Sequence, residues 1–355
     1  MKKEFSSNCL VQRVNDFRAR LSRGEVLPQS RPTLEADRKR TLRAAAILAA
    51  AVGITGVVQA GDDDKVPVVE AGTAAEPLRY FSVSALGLSR DLSNTGAIIA
   101  ANPAGTPFLT GDDFDFGLSA GVDASFGFTV LGDEVIEARL MYSEMEAGNI
   151  TVTPGNFIGV GFTGPGGTTA TSEYDTTFAS GEINWKHSYN DRVTVLAGMR
   201  GFDIDDTLRT VINANVASGL YEAENSLLGA QIGAQMALID GSGPLKLDLS
   251  GKVGVYSNDS NAGIREFSGN NPIGAFQSGR VNETSYAAEL GLTVGYRLTD
   301  RTELTAGYHL LWMDDIAMAG SAASGSLLNP SLLRTNVFRD EMLLHGFSVG
   351  VRTSF

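Results

Sequence analysis

The sequence predicts an all-β fold, a transmembrane antiparallel up-and-down β-barrel of about ten strands, with twelve as the upper count. Three observations predict it. Apolar residues alternate with small or polar ones over strand-length segments, connections alternate between tight turns and long loops, and an export-type segment precedes the first strand.

The alternation is clearest in FDFGLSAGVDASFGF, residues 114–128. Phe114, Phe116, Leu118, Ala120, Val122, Ala124, Phe126 and Phe128 alternate with Asp115, Gly117, Ser119, Gly121, Asp123, Ser125 and Gly127. A helix would scatter both sets around its circumference, whereas a strand puts each on its own face. At 15 residues the segment is long for a soluble strand and suits one that crosses lipid at a tilt. The same period returns at 135–143, 178–187, 192–201, 227–238, 245–256, 287–297, 303–313 and 344–355, and a first strand at about 78–90 completes ten.

Tight turns are expected at Leu131-Gly132-Asp133, Asn190-Asp191, 240–243 and Thr299-Asp300-Arg301. Gly-, Ser-, Thr- and Asn-rich loops are expected at about 91–111, 147–172, 206–220, 257–282 and 317–340. A soluble sandwich has no reason to sort its loops by length in this way. Outer-membrane barrels do, with short periplasmic turns and long extracellular loops, and an even strand count returns both termini to the periplasm.

Ahead of the strands, the apolar run Ala44 to Ala60 follows Arg38, Lys39, Arg40 and Arg43 and is followed by GDDDK. At 17 residues, rich in Ala and Gly, it is shorter than the roughly 20 of a spanning helix and has the layout of a secretory signal cleaved after Val58-Gln59-Ala60. The expected organisation is a basic leader plus signal peptide over 1–60, a short periplasmic segment over 61–76 and the barrel over 77–355. The only cysteine, Cys9, falls in the leader. Residues 1–60 carry 11 Lys/Arg and 5 Asp/Glu, which leaves 17 basic and 36 acidic residues, a net charge of −19. So acidic a chain disfavours nucleic acid as a partner. The expected partners are the secretion machinery and signal peptidase, the barrel-assembly machinery and outer-membrane lipid.

The lipid-facing parity places Phe114, Phe116, Tyr142, Tyr308 and Trp312 near one rim and Phe126, Phe128, Trp185, Tyr296 and Phe355 near the other, as two aromatic girdles. Phe347, Val349, Val351 and Phe355 share one face of the last strand, so Phe355 is expected to face lipid and to complete an assembly signal. The opposite parity gives a lumen wall of Asp115, Asp123, Glu137, Glu182, Asp248, Glu289 and Glu303 with Arg139, Lys186, Arg200, Lys246, Lys252, Arg297 and Arg352, together with Gln231. Seven acids against seven bases predict a nearly neutral wall laced with ion pairs. Ten strands lie near the size that fills with its own side chains, so any conduit should be narrow.

At the long-loop ends every strand carries an acid. The set includes Asp112, Asp113, Asp203, Asp205, Asp206, Asp314 and Asp315, and its 18 members are half of the 36 acids that follow residue 60. Such a ring is expected to attract cations and offers low-specificity sites for calcium or magnesium; no other cofactor is expected.

From Phe178 to Phe355 the chain resembles the putative beta-barrel porin family of bacterial outer-membrane proteins. The resemblance rests on 198–206 (GMRGFDIDD), on 225–233 (NSLLGAQIG), on SGEINW at 180–185, on ELGLTVGYRLTDRTELTAGYHLLW at 289–312 and on HGFSVGVRTSF at 345–355. The first block departs from the family at Gly201, where an aromatic is usual. The resemblance implies an outer-membrane location and a porin architecture, and it supplies no catalytic residue.

Other motifs carry little. Residues 159–164 match G-x-G-x-x-G, but Pro165, Gly166 and Gly167 follow where a dinucleotide site needs a helix. Of His187, His309 and His345, only His309 has lumen parity within a strand, and no nucleophile stands at an informative spacing. No Cys/His cluster suggests zinc, and no enzyme activity is expected. Two functions remain: a narrow passive pore for small solutes, preferring cations, or a non-conducting structural or surface-interaction barrel acting through its long loops.

Overall fold

The computed structural model describes residues 79–355 except 93–97, 102–105, 132–133, 154–156, 160–161, 165–168, 213–216, 241–242, 269–270, 273–276 and 329–336. The expected leader, signal segment, periplasmic segment and Gly61 start lie outside the described residues. Ten long strands form the wall: β1 (Arg79–Leu92), β2 (Phe116–Leu131), β3 (Glu134–Val152), β4 (Ala170–Ser188), β5 (Val193–Ile212), β6 (Ala217–Asp240), β7 (Leu245–Ser268), β8 (Gln277–Arg297), β9 (Thr302–Ala317) and β10 (Arg339–Ser354). Each pairs antiparallel with the next, and β1 pairs with β10 from Tyr80↔Ser354 to Leu92↔Met342, which closes the ring. The chain is therefore the ten-strand up-and-down barrel that the alternation predicts. Helix α1 (Ala319–Leu328) follows β9. The short strands Ile98–Ala101, Pro107–Thr110, Phe157–Gly159 and Phe162–Gly164 form a separate small sheet. The last two pair antiparallel, so the described residues of the G-x-G-x-x-G segment lie on two strands.

Two expected long loops are largely strand. Only residues 213–216 separate β5 from β6, and 269–276 separate β7 from β8, where loops over 206–220 and 257–282 are expected. The reason is an inversion of side-chain chemistry along each strand. On β5 the outward track reads Val193, Val195, Ala197 and Met199, then turns polar at Asp203, Asp205, Thr207 and Arg209, while the inward track turns apolar at Phe202, Ile204 and Leu208. On β6 the outward track is apolar from Leu228 to Leu238 and polar at Glu222 and Glu224, and Tyr221, Ala223 and Leu227 are buried inside. Below the inversion the wall faces lipid, so apolar residues point out. Above it the wall faces water, so apolar residues point in. A two-residue period that changes phase reads as an ended strand. β6 and β7, at 24 residues each, are about twice what a tilted strand needs to cross the membrane.

A second correction concerns Phe114, Phe116 and Asp115. The β1–β2 register shifts between Leu88 and Arg90, and the β2–β3 register between Phe116 and Gly121. A bulge exchanges the two faces. Leu118 stays outside at 66% exposure, whereas Phe116 is 1% exposed and Phe114 is also buried, both with their rings edge-on to Tyr174. Asp115 is exposed just before β2 and is not part of the wall. The remaining aromatics keep the expected face. Trp312 Nε1–H donates to Glu341 (3.1 Å) and Tyr308 packs edge-on against Phe347, while Phe126, Phe128, Trp185, Tyr296 and Phe355 ring the short-turn end.

Phe355 is 59% exposed, and its backbone exchanges hydrogen bonds with Arg79 (3.3 and 2.9 Å) at the seam that closes the barrel. Deleting Phe355 should therefore lower the yield of inserted, heat-modifiable protein in the outer membrane. An unchanged yield would contradict its role in closure and assembly.

Candidate functional site

The only enclosed space a barrel owns is its lumen. β3 and β8 stand five places apart in the ring of ten, on opposite walls. Arg139 of β3 nevertheless reaches Glu289 of β8 at 2.7 Å, and it also holds Asp123 of β2 through two bonds of 2.9 Å. Glu289 takes Arg200 of β5 and Lys252 of β7 (3.4 Å) as well, and Lys252 donates to Glu182 of β4 at 2.7 Å. Gln231 of β6 donates to Glu182 (2.6 Å) and to the Asn184 side-chain carbonyl (2.7 Å). Three acids, Asp123, Glu182 and Glu289, thus balance three bases, Arg139, Arg200 and Lys252, in one bonded layer drawn from β2 to β8. At this level β9 and β10 add His309 and Ser348, whose Nε2 and Oγ are 2.9 Å apart.

A fully desolvated ion pair costs more than it returns unless hydrogen bonds satisfy the remaining donors and lone pairs. This layer meets that condition. Arg200, 2% exposed, donates to the Ser180 hydroxyl (2.9 Å) and to Glu289, and its guanidinium lies 4.4 Å over the ring of Phe202. The same contact joins the polar layer to an apolar one above it. Phe202 meets Phe178 at 6.1 Å and Tyr256 at 5.1 Å between ring centres, with Leu227, Leu311 and Met141 in the same buried cluster. Glycine makes room for this packing: a Cβ at Gly229 would collide with the Val255 carbonyl and the Tyr256 ring.

Above the apolar layer the chain folds into its own mouth. Residues 316–319 and Ala322 and Ala323 are buried, and inward polar side chains bolt this segment in place. Asn225 donates to the Ala317 carbonyl and accepts its N–H, both at 2.8 Å. Asn258 and Ser285 donate to the Asp315 carbonyl at 3.1 and 3.0 Å. Asp206 accepts the Ala319 N–H (2.9 Å), the Tyr174 hydroxyl (2.7 Å) and the Thr176 hydroxyl (2.8 Å), and it forms a buried ion pair with Arg90. Arg90 in turn lies about 5 Å over the rings of Phe116 and Tyr174. Burial and the Asp206 carboxylate push the Tyr174 hydroxyl well above its usual pKa, so it stays a donor. Small side chains let α1 fit: Ala319 to Ser326 contains only Ala, Gly and Ser.

The predicted residues divide accordingly. Asp123, Arg139, Glu182, Arg200, Gln231, Lys252 and Glu289 meet in the central layer. Glu137 pairs with Lys186 (2.7 Å) and Tyr80, and Asp248 with Lys246 (2.8 Å), nearer the short turns. Arg297, Glu303 and Arg352 stand side by side at the periplasmic mouth. The acidic ring does not face a mouth as a unit. Asp203 and Asp205 point outward above the lipid belt, and Asp206 is a correction: one residue of strand turns it inward to Arg90. Asp112 and Asp113 sit on an exposed 3-10 turn, Asp314 accepts the Asp315 N–H (2.9 Å), and the Asp315 carboxylate lies 3.5 Å from Arg339. Among the described residues no three His, Asp or Glu side chains gather as a metal would require. His187 and His345 point outward, against Glu134 (2.9 Å) and the Tyr308 hydroxyl (3.1 Å). The sequence reading missed Arg90, Tyr174, Asn225, Asn258 and α1. Asn225 shares parity with Gln231 just ahead of the expected strand start at 227, so a longer strand would have revealed it, whereas Arg90 already falls at the end of the expected first strand, on the inward parity of Leu88.

The fold and the filled lumen define the class, an outer-membrane β-barrel. A family model described as Putative beta barrel porin-7 (BBP7) matches residues 156–355, and the chain belongs to that family. No curated protein matches the sequence. Among solved structures, the chain is similar to the outer membrane protease OmpT from Escherichia coli at 8% identity, with 78% of this chain and 97% of that chain covered and a TM-score of 0.45. The translocator domain of the autotransporter NalP from Neisseria meningitidis is matched at 11% identity, covering 90% and 96% with a TM-score of 0.34. The P. putida toluene transporter TodX is matched at 9% identity, covering 79% and 90% with a TM-score of 0.34.

Asn225→Ala leaves the Ala317 N–H and carbonyl buried without partners, a loss of about 1–3 kcal/mol per group. Limited proteolysis of the folded variant should cut within 315–328 faster than in the wild type. Equal rates would show that Asn225 does not hold the segment.

Proposed function

We propose that the protein is an outer-membrane barrel, exported through the periplasm and inserted by the assembly machinery, that is closed to solutes in its resting state and acts through its surface. The observation that supports this reading best is the Arg139–Glu289 ion pair between opposite walls, with the buried segment 316–323 above it. A solute would have to break charge-assisted bonds in a desolvated layer and displace a packed apolar one. We propose no catalytic role. His309 and Ser348 are within bonding reach, but the His309 Nδ1 has no orienting partner among the described residues and the pair lies inside the filled lumen.

A second reading, a gated and cation-preferring pore, is favoured by family membership and by one backbone feature. Asp315 has φ 59°, a left-handed conformation that is uncommon for a residue other than glycine, at the point where the inserted segment leaves β9. Withdrawal of 315–328 would pivot there. The outward band of Asp203, Asp205, Glu222 and Glu224 would then bear on cations near the lipid headgroups, including calcium or magnesium bridged to anionic lipid.

Planar-bilayer recording separates the two. The refolded full chain should give no stable ohmic steps. Steady steps from the wild type would overturn the closed-barrel reading, and steps that appear only after removal of residues 318–328 would identify α1 as the gate.

A further inference from the structure

Five inward bases of the wall, Arg139, Lys186, Arg200, Lys246 and Lys252, meet a carboxylate. Arg352, at the periplasmic mouth, differs from these five. Arg297, Glu303 and Arg352 lie in direct register on β8, β9 and β10. Glu303 nonetheless folds over Gly295, where any Cβ would strike its carboxylate. Among the described residues Arg352 forms no ion pair. Its guanidinium lies 5.0 Å over the Tyr80 ring, and its Nε is buried with no acceptor. A buried N–H of a charged group without an acceptor costs several times what an average hydrogen bond contributes, so the site is incomplete as it stands.

The space beside it is shaped for a ligand. Arg297, Arg301 and Arg352 line a small half-open crevice of about 70 Å³, together with Thr299, Thr302 and Ser354. The turn that carries Arg301 and Thr299 is fixed. Thr299 Oγ1 accepts the N–H of Arg301 (3.3 Å) and of Thr302 (3.0 Å), which leaves its proton to donate, and Ser354 N–H bonds the Arg301 carbonyl at 2.8 Å. Asp300 and Glu303 also border the crevice, so its lining carries three positive and two negative groups.

We propose that this crevice is a periplasmic site for a phosphate group, free or carried by a small solute, with Arg352 as its central donor. Guanidinium forks and hydroxyls are donors, and together they outnumber what a carboxylate can accept, whereas a tetrahedral phosphate presents an acceptor to each side. The two bordering acids oppose a dianion and set the affinity low, roughly millimolar. The site goes beyond the closed-barrel reading and does not depend on it, because it opens to the periplasm below the sealed layer.

Calorimetric titration of the refolded full chain in zwitterionic detergent, at constant ionic strength, tests it with two probes: inorganic phosphate and glycerol 3-phosphate. Saturable binding of either supports the site, and the stronger of the two identifies the form it takes. Arg301→Gln, in an exposed turn, should weaken binding by about threefold or more, and Arg352→Gln by about tenfold, with Arg352→Lys retaining part of it. Gel mobility of the unheated samples reports folding, and Arg301→Gln carries the test if Arg352 variants fail to fold. No saturable binding by the folded wild type, or equal binding by wild type and folded Arg301→Gln, would overturn the proposal.

Discussion

Lipid offers a strand no water, so every backbone N–H and C=O that crosses it must be paired within the protein. The ring from β1 to β10 is the consequence, and its seam from Tyr80 to Leu92 leaves no edge there. Closure also fixes the size of the interior. Ten strands enclose too little space for a wide channel and too much for backbone alone, so side chains must fill it. At membrane height the outward positions are committed to lipid, and the polar residues that the alternating pattern demands can only point inward. Charges confined in that space are tolerable only as a fully bonded set, which Asp123, Arg139, Glu182, Arg200, Lys252 and Glu289 supply.

Above the lipid the same wall is subject to the opposite rule. Asp203, Asp205, Glu222 and Glu224 face out, and Ile204, Leu208, Tyr221 and Ala223 face in, so the upper barrel packs like a soluble core. That inversion marks what was legible. Strand number, order and closure could be read because apolar alternation runs unbroken where the wall meets lipid. Strand ends could not, since the period near Met199, Leu227 and Tyr256 changes phase instead of stopping. The bulge beside Phe116 hid the inward turn of Phe114 and Phe116 for a related reason: sequence parity assumes an unbroken register.

The charged layer was legible as a set of residues and not as a set of partners. Parity selects Arg139 and Glu289 from their strands, but only the closed ring places them opposite one another. The two blocks of family resemblance have structural roles inside the lumen. Arg200 and Asp206 come from one, and Asn225 and Gln231 from the other; they anchor the ion-pair layer and the inserted segment. Helix α1 was not legible at all. Its Ala, Gly and Ser composition reads as loop, and the same small side chains are what a narrow lumen admits.

The account rests on a direct link between opposite walls, and a double-mutant cycle on Arg139 and Glu289 measures it most directly. With Arg139→Met and Glu289→Gln followed by urea unfolding in micelles, each single variant should lose about 3–5 kcal/mol, because it leaves the buried three-against-three layer with one unbalanced charge, a balance that the double variant restores. The double variant should lose much less than their sum. Losses that add to within about 0.5 kcal/mol would mean that the two residues do not meet across the lumen, and the sealed barrel would have to be abandoned.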